Sequence, residues 1–166
     1  MSHREEVIKR LRGAGIPFAY YEHEPVYTME ECLALPCAEA DVTFCKNILL
    51  CNRQKTSYYL YVTLPGKPFR TAQVSKLLGV SRLSFADAED LTGLLGLYSG
   101  SLSPLAKWFD TAQQVQLVLD RAICRDGRIA FHPCDNTATV IFDQSVFRQL
   151  VLPQLGNSIW LDTNEQ

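Results

Sequence analysis

Two apolar runs joined by a short polar turn constrain the fold of this chain more than any other feature of its sequence. The first run, CKNILLCNR over residues 45–53, carries five apolar residues, and the second, SYYLYVTL over residues 57–64, is rich in aromatic and β-branched side chains. Runs of this length that are bounded by polar residues are typical of buried strands. We therefore predict strands at 46–52 and 57–64 that pair as a β-hairpin.

Lys46 and Asn47 lie inside the first of these runs, where neither residue type is expected. Burial of an unpaired amide costs about 2–7 kcal/mol, and burial of an unpaired charge costs more. Alternation along a regular strand places the two side chains on opposite faces, unless a bulge brings both to one site. Two interpretations are open at this point: a functional pair, or a lysine at a strand end whose ammonium group reaches solvent.

Helical and strand patterns are mixed along the rest of the chain, with no linker, repeat or low-complexity segment. Apolar spacing, capping residues and glycine or proline stops predict helices at 3–13, 28–35, 70–80, 87–97 and 144–155. Further strands are predicted at 17–24, 82–85, 115–120, 128–133 and 137–143. Because the order lacks strict βαβ alternation, we expect an α/β or α+β fold around a mixed, mainly antiparallel sheet.

A length of 166 residues, 47% of them hydrophobic, is enough for one well-packed domain and short for two. We predict a single domain over residues 1–166. No stretch approaches the roughly 20 apolar residues that a membrane span requires. The start, MSHREEVIKRLRGAG, is also too charged for a secretory signal. These features predict a cytoplasmic protein without a membrane partner.

A formal net charge of −2 argues against a surface that binds nucleic acid over its whole extent, but it permits a local basic patch. The candidate phosphate contacts are Arg4, Lys9, Arg10, Arg12, Lys67 and Arg70. A solvated helix face is the commoner meaning of such charges.

Six cysteines raise the question of a metal site or of disulfides. None of them forms a CxxC pair, and several lie in apolar runs. We therefore expect reduced thiols that are buried as small hydrophobic residues, and we predict neither a metal nor a cofactor. The six are Cys32, Cys37, Cys45, Cys51, Cys124 and Cys134.

The loop YSGSLSPLA has a composition that is compatible with an anion site. Gly100 and Pro104 enclose Ser101 and Ser103, and such a loop can direct successive backbone N–H groups at one point. Taken alone, a Gly/Ser/Pro cluster is more often an ordinary connection.

The segment FHPCDNTAT places His132, Asp135, Asn136 and Thr137 in the gap between two predicted strands. The plain interpretation is a turn, in which aspartate and asparagine supply the chain reversal and the histidine is exposed at a strand end.

Taken together, KN within a strand, GSLSP after a helix and FHPxxNTAT before a strand resemble the freestanding prolyl-tRNA editing domains of the YbaK/ProX type, in order and in spacing. The opening HEPVYTMEE, the asparagine directly after the lysine and HPCDNTAT are most similar to the alanyl-tRNA(Pro) deacylase branch, called ProXp-ala or PrdX. The resemblance runs from about residue 5 to 152. It implies a YbaK-type, aminoacyl-tRNA synthetase-associated domain whose sheet is partly barrel-like and surrounded by helices.

The resemblance implies a trans-editing hydrolase that deacylates mischarged alanyl-tRNA(Pro). A synthetase pocket that holds proline cannot strongly reject the smaller alanine, because one methylene is worth only about 1–3 kcal/mol. A second site that excludes proline by size can then hydrolyse the wrong ester. The implied partners are the acceptor end of tRNA(Pro) carrying alanine and prolyl-tRNA synthetase. Two alternatives stay open: a Cys- or Ser/Thr-specific deacylase of the same superfamily, and a non-catalytic module that binds the tRNA end.

The resemblance also assigns roles to residues. Lys46 is expected to pair with a phosphate or ribose of the tRNA 3′ end, and the Gly100 loop to supply backbone donors to the ester oxygen. Water is the expected nucleophile, because no Ser-His-Asp order and no carboxylate pair is evident. The expected catalytic residues are Lys46, Asn47, Gly100, Ser101, Ser103 and His132. The expected substrate-binding residues are Lys46, Thr28, Pro104, Asn136 and Thr137, the last two also fixing their turn.

His132 has two possible roles in this scheme. It could act as a general base, or it could form part of the pocket wall. The resemblance favours a role for His132 in the pocket wall.

Overall fold

The computed structural model describes residues 1–163 as two mixed β-sheets with helices around them. This confirms the predicted fold class, and within the described range neither sheet closes into a barrel. Residues 164–166, which the single-domain prediction includes, lie outside the described residues. Among residues 1–163, no helix has the length and hydrophobicity that crossing a membrane would require.

The helices are short. The α-helices are α1 (His3–Gly13), α2 (Met29–Leu33), α3 (Thr71–Leu78), α4 (Ala88–Leu95) and α5 (Gln144–Val146). The 3₁₀-helices are Pro104–Phe109, Arg121–Ile123 and Leu152–Leu155, and a π-helical turn spans Phe147–Val151. The strands are β1 (Ala19–Glu22), β2 (Val42–Phe44), β3 (Lys46–Cys51), β4 (Tyr58–Thr63), β5 (Ser84–Phe85), β6 (Val115–Asp120), β7 (Arg128–Phe131), β8 (Ala138–Asp143) and β9 (Ser158–Leu161).

Every predicted helix and strand has a counterpart at its predicted place. Strands β2 and β9 were not predicted, and the segment Pro104–Phe109, predicted as part of a loop, is a 3₁₀-helix. The predicted closing helix is helical throughout but changes from α to π to 3₁₀ geometry as it approaches Pro153. Proline has no N–H group to donate, so regular helical bonding cannot continue through it.

Capping boxes start three of the helices. At α2, the Thr28 hydroxyl accepts from the backbone N–H of Glu31, and the Glu31 carboxylate accepts from the backbone N–H of Thr28. This confirms the capping box predicted from the sequence. It fixes the point where the chain enters α2, which matters for the cavity described below.

The first sheet has the order β1-β8-β7-β2, and the second has the order β5-β3-β4-β6-β9. The predicted hairpin of β3 and β4 is confirmed, with a continuous register from Lys46 opposite Thr63 to Cys51 opposite Tyr58. Three pairings are parallel: β2 with β7, β4 with β6 and β6 with β9. The other pairings of the described residues are antiparallel.

The chain crosses from the first sheet to the second at Cys45. Strand β2 ends at Phe44, which is paired with Ala130 of β7. Strand β3 begins at the next residue but one, Lys46, which is paired with Thr63 of β4. The start of β3 therefore lies at the junction of the two sheets.

Strand β3 is buried on both faces, which explains its continuous apolar sequence. Leu49 and Cys51 belong to the main hydrophobic cluster, which also contains residues of the first sheet. Ile48 and Leu50 belong to a second cluster on the other face, together with Val74 of α3. Only the first two residues of β3, at the junction, are free of both clusters.

All six cysteines are free thiols. Five are buried, as predicted, whereas Cys124 is exposed because it follows a 3₁₀-helix at the surface. Burial raises the pKa of Cys45 and raises that of Cys134 to about 12. These two thiols are therefore neutral at physiological pH.

Candidate active site

A cavity of about 200 Å³ lies where the two sheets meet. Four parts of the chain build it: the segment that leads into α2, the crossing between β2 and β3, the Gly100 loop and the end of β7. Its lining residues are Val26, Tyr27, Thr28, Met29, Cys32, Phe44, Cys45, Lys46, Asn47, Gly100, Leu102, Ala130, Phe131 and His132.

The cavity brings together five of the residues that the sequence predicts as site residues. These are Thr28, Lys46, Asn47, Gly100 and His132. The other five do not line it but lie in the same loop or the same turn. These are Ser101, Ser103, Pro104, Asn136 and Thr137.

Lys46 is exposed at the edge of the cavity, as the first residue of β3. Its ammonium group has no ionic partner among residues 1–163. The lysine therefore avoids the cost of burial and leaves its charge available to an anion from outside.

Asn47 carries the one buried side-chain oxygen or nitrogen of residues 1–163 that has no hydrogen-bond partner. Its amide nitrogen donates to the carbonyl oxygen of Cys45 over 3.5 Å, a long contact, and its Oδ1 atom has no donor. A buried acceptor without a donor costs about 1–3 kcal/mol, so such atoms are rare in folded proteins. Because Asn47 lines the cavity, this oxygen is a candidate acceptor for a ligand that donates a hydrogen bond.

Both side chains of the Lys46-Asn47 pair reach the cavity although no bulge interrupts the register of β3. The pair lies where β3 begins, at the crossing between the two sheets. Alternation along the strand therefore does not prevent both residues from lining one cavity when they lie at a strand end.

Gly100 has a φ of +93°, which glycine adopts without the strain that a side chain brings. The backbone N–H groups of Gly100 and Leu102 have no acceptor among the described residues, whereas that of Ser101 donates to the carbonyl oxygen of Tyr98 over 3.1 Å. Two backbone donors of the loop that lines the cavity are therefore uncommitted.

Ser101 and Ser103 are fully buried and hold the loop in shape. The Ser101 hydroxyl donates to the carbonyl oxygen of Tyr98 at 2.7 Å. The Ser103 hydroxyl accepts from the backbone N–H of Leu105 at 3.2 Å, at the start of the 3₁₀-helix that opens with Pro104. These hydroxyls are engaged within the loop rather than presented to the cavity.

His132 is held at both ring nitrogens. Its Nδ1 lies 2.8 Å from the carbonyl oxygen of Ala138, which can only accept, so Nδ1 carries the hydrogen. Its Nε2 lies 3.6 Å from the sulfur of Cys32 on α2. Burial lowers the pKa of His132 and raises that of Cys32, so both groups are neutral at pH 7. The thiol is then a weak donor to the imidazole, and the pair is not a thiolate and imidazolium.

Asn136 ties the turn after β7 to two other segments of the cavity. Its side-chain amide donates to the carbonyl oxygen of Val26 at 3.0 Å, and its Oδ1 accepts from the hydroxyl of Tyr98 at 2.9 Å. Thr137 donates to the carboxylate of Asp135 at 2.7 Å, within the same turn. The turn is therefore fixed by side-chain hydrogen bonds to the backbone and within itself.

The apolar wall of the cavity was not predicted. Met29 and Cys32 belong to the short helix α2, Val26 lies in the segment that leads into it, and Phe44 and Phe131 end β2 and β7. The spacing of three residues between Met29 and Cys32 is a helical signal that could have marked these two as one face.

Several candidate phosphate contacts are paired within the chain. The ion pairs are Arg4 with Asp135 at 3.9 Å, Arg10 with Glu6 at 3.1 Å and Lys67 with Asp120 at 3.0 Å. Their role in binding RNA stays a prediction.

Residues 23–150 match the family model of the aminoacyl-tRNA editing domain. The prolyl-tRNA editing protein ProX of Acetoanaerobium sticklandii is 29% identical to this chain over 151 residues, which cover 91% of this chain and 92% of that protein. The prolyl-tRNA synthetase associated domain-containing protein 1 of Danio rerio is 32% identical over 138 residues, which cover 82% of this chain and 72% of that protein.

The fold is similar to that of solved structures. One is a crystal structure provisionally described as a trans-editing enzyme for prolyl tRNA synthetase, with a TM-score of 0.73 and 15% identity, covering 98% of this chain and 96% of that one. At this identity the likeness concerns the fold alone.

Proposed function

The chain belongs to the aminoacyl-tRNA editing domain family, in the YbaK/ProX superfamily, and we propose that it acts in trans in the cytoplasm to hydrolyse mischarged alanyl-tRNA(Pro). One observation supports the proposal: a free cation, a buried acceptor without a donor and two uncommitted backbone donors belong to residues that line one cavity. These residues are Lys46, Asn47, Gly100 and Leu102.

The cavity suits a small aminoacyl group. Its apolar wall would contact the methyl group of alanine. The unpartnered Oδ1 atom of Asn47 would accept from the α-ammonium group, which satisfies the acceptor only when substrate is bound. We expect the apolar wall and one polar anchor to select the substrate together.

Lys46 would bind a phosphate of the tRNA 3′ end at the edge of the cavity. An exposed ammonium group without an internal partner needs no rearrangement to do so. Once the phosphate is held there, the ester is fixed in position in the cavity.

The reaction would be a direct hydrolysis. The oxygen of a water molecule bonds to the ester carbonyl carbon, and the backbone N–H groups of Gly100 and Leu102 donate to the oxyanion that forms. The bond between that carbon and the ribose oxygen then breaks. The ribose oxygen takes up the proton that the water loses, with the neighbouring ribose hydroxyl as the relay. The products are alanine and free tRNA.

A deacylation panel tests the proposal. With tRNA(Pro) charged in turn with alanine, cysteine, serine and proline, we expect the largest kcat/KM for the alanyl ester. Faster hydrolysis of the cysteinyl or seryl ester would assign the protein to another specificity of the superfamily. Esters that are no shorter-lived than in the buffer control, despite binding, would favour the non-catalytic alternative.

Asn47→Ala is expected to raise the KM for alanyl-tRNA(Pro) by about 10- to 100-fold, because a hydrogen bond to a charged group is worth about 1.5–3 kcal/mol. The melting temperature should stay within a few degrees of the wild-type value, since the lost oxygen has no partner in the free protein. Steady-state kinetics and a thermal melt measure the two effects.

Asn136→Ala is the matched control for this prediction, because its amide bonds to Val26 and Tyr98. That variant should lose stability. A normal KM for Asn47→Ala, or a fall in its melting temperature as large as that of Asn136→Ala, would contradict the assigned role.

A further inference from the structure

Tyr27 lies on the rim of the cavity with 71% of its surface exposed to solvent. Its hydroxyl makes no hydrogen bond to any residue of the described range, and its ring is in no aromatic pair there. Packing within the fold therefore does not account for this side chain. A large aromatic group left exposed beside a binding cavity is a candidate contact for what enters it.

The backbone beneath this ring is firmly held. The N–H of Tyr27 donates to the carboxylate of Glu31 at 3.1 Å, as part of the α2 cap. The preceding residue, Val26, is bonded through both its N–H and its carbonyl group to Asn136. The ring is thus attached to a backbone of fixed position, so stacking on it requires no ordering of the backbone.

We propose that Tyr27 is the stacking surface for the base of the 3′-terminal adenosine of the tRNA. The inference rests on the proposed function, which places the ester of that nucleotide in the cavity and its ribose at the mouth. Unpaired bases at RNA ends are commonly recognised by stacking on exposed tyrosine rings. With the base on Tyr27 and the phosphate on Lys46, two rim residues would hold the nucleotide on either side of its ribose.

Tyr98 is another exposed tyrosine, and it is the weaker candidate. Its hydroxyl donates to Oδ1 of Asn136 and accepts from the backbone N–H of Asn136, so it stabilises the turn after β7. It is 47% exposed and does not line the cavity.

Stacking can be measured with an RNA that carries no aminoacyl ester, so that no hydrolysis takes place. The probe is an uncharged RNA hairpin that ends in an unpaired CC followed by 2-aminopurine in place of the terminal adenine, because stacking quenches the fluorescence of 2-aminopurine. Wild-type protein and Tyr27→Phe should quench it. Tyr27→Leu should lose most of the quenching and bind the hairpin about tenfold more weakly or worse.

Phe85→Leu is the control, because Phe85 is 62% exposed but lies in β5, which pairs with the far end of β3. It should quench as the wild type does. Normal quenching by Tyr27→Leu would overturn the proposal, and so would the absence of quenching by the wild-type protein.

The outcome separates this inference from the proposed function. A wild-type protein that quenches through Tyr27 but hydrolyses no aminoacyl ester would reject the deacylase and keep the stacking site. A wild-type deacylase whose Tyr27→Leu variant has unchanged KM and quenching would reject the stacking site alone.

Discussion

Lys46→Ala is expected to lower kcat/KM for alanyl-tRNA(Pro) by about 10- to 100-fold, because a charge-assisted hydrogen bond to a phosphate is worth about 1.5–3 kcal/mol. The fold should tolerate the change, since the side chain is exposed and its ammonium group has no ionic partner among the described residues. Single-turnover deacylation measures the loss, and a thermal melt shows whether the variant is folded.

A second measurement tests whether the charge of Lys46 binds a phosphate. Each phosphate contact adds to the salt dependence of binding, so the KM of Lys46→Ala should rise less steeply with salt than that of the wild type. Lys76→Ala is the matched control, because Lys76 is an exposed lysine of α3 that does not line the cavity. If a folded Lys46→Ala variant keeps wild-type kcat/KM, the site is wrongly assigned.

The central strands could be predicted because their burial produces continuous apolar runs in the sequence. Strand β3 is buried on both faces and β4 pairs with it along its whole length, so both sequences are apolar and continuous. The capping box at Thr28 is equally local, since it joins residues three apart. Elements of this kind depend little on distant parts of the chain.

Strands β2 and β9 could not be predicted for the opposite reason. Strand β2 has only three residues, and it exists because it pairs with β7, far along the chain. Strand β9 follows the last helical segment and is added to the sheet by its parallel pairing with β6. The presence of both strands depends on these pairings with partners distant in the sequence.

The candidate site was predictable in its residue types but not in its geometry. Alternation along β3 cannot show that both Lys46 and Asn47 reach one cavity, because that depends on where the chain crosses between sheets. Nor can the loop sequence show that Ser101 and Ser103 bond within the loop while Gly100 keeps a free N–H. The first fact depends on the positions of residues distant in sequence, and the second depends on the backbone conformation of the loop.

His132→Ala is expected to change the preference of the protein between aminoacyl esters rather than only the rate of hydrolysis. The ring forms part of the cavity wall, where Ala138 and Cys32 hold its two nitrogens. Its removal should enlarge the cavity and admit proline. Relief of a steric clash worth about 1–3 kcal/mol would narrow the Ala:Pro ratio of kcat/KM by about 10- to 100-fold.

The same variant separates this role from general base catalysis. Loss of a general base lowers the rate for every substrate by about 10²–10⁴-fold and leaves the ratio between them unchanged. The structure favours a role in the cavity wall, because Nε2 faces a neutral thiol and burial lowers the pKa of the ring, which makes it a weaker base.

The measurement is kcat/KM for alanyl- and prolyl-tRNA(Pro) at one pH, with His23→Gln as the control. His23 lies with its ring 6.1 Å from that of His132 but does not line the cavity, so its substitution should leave the ratio unchanged. An unaltered ratio in His132→Ala, with both rates reduced together, would make His132 the base.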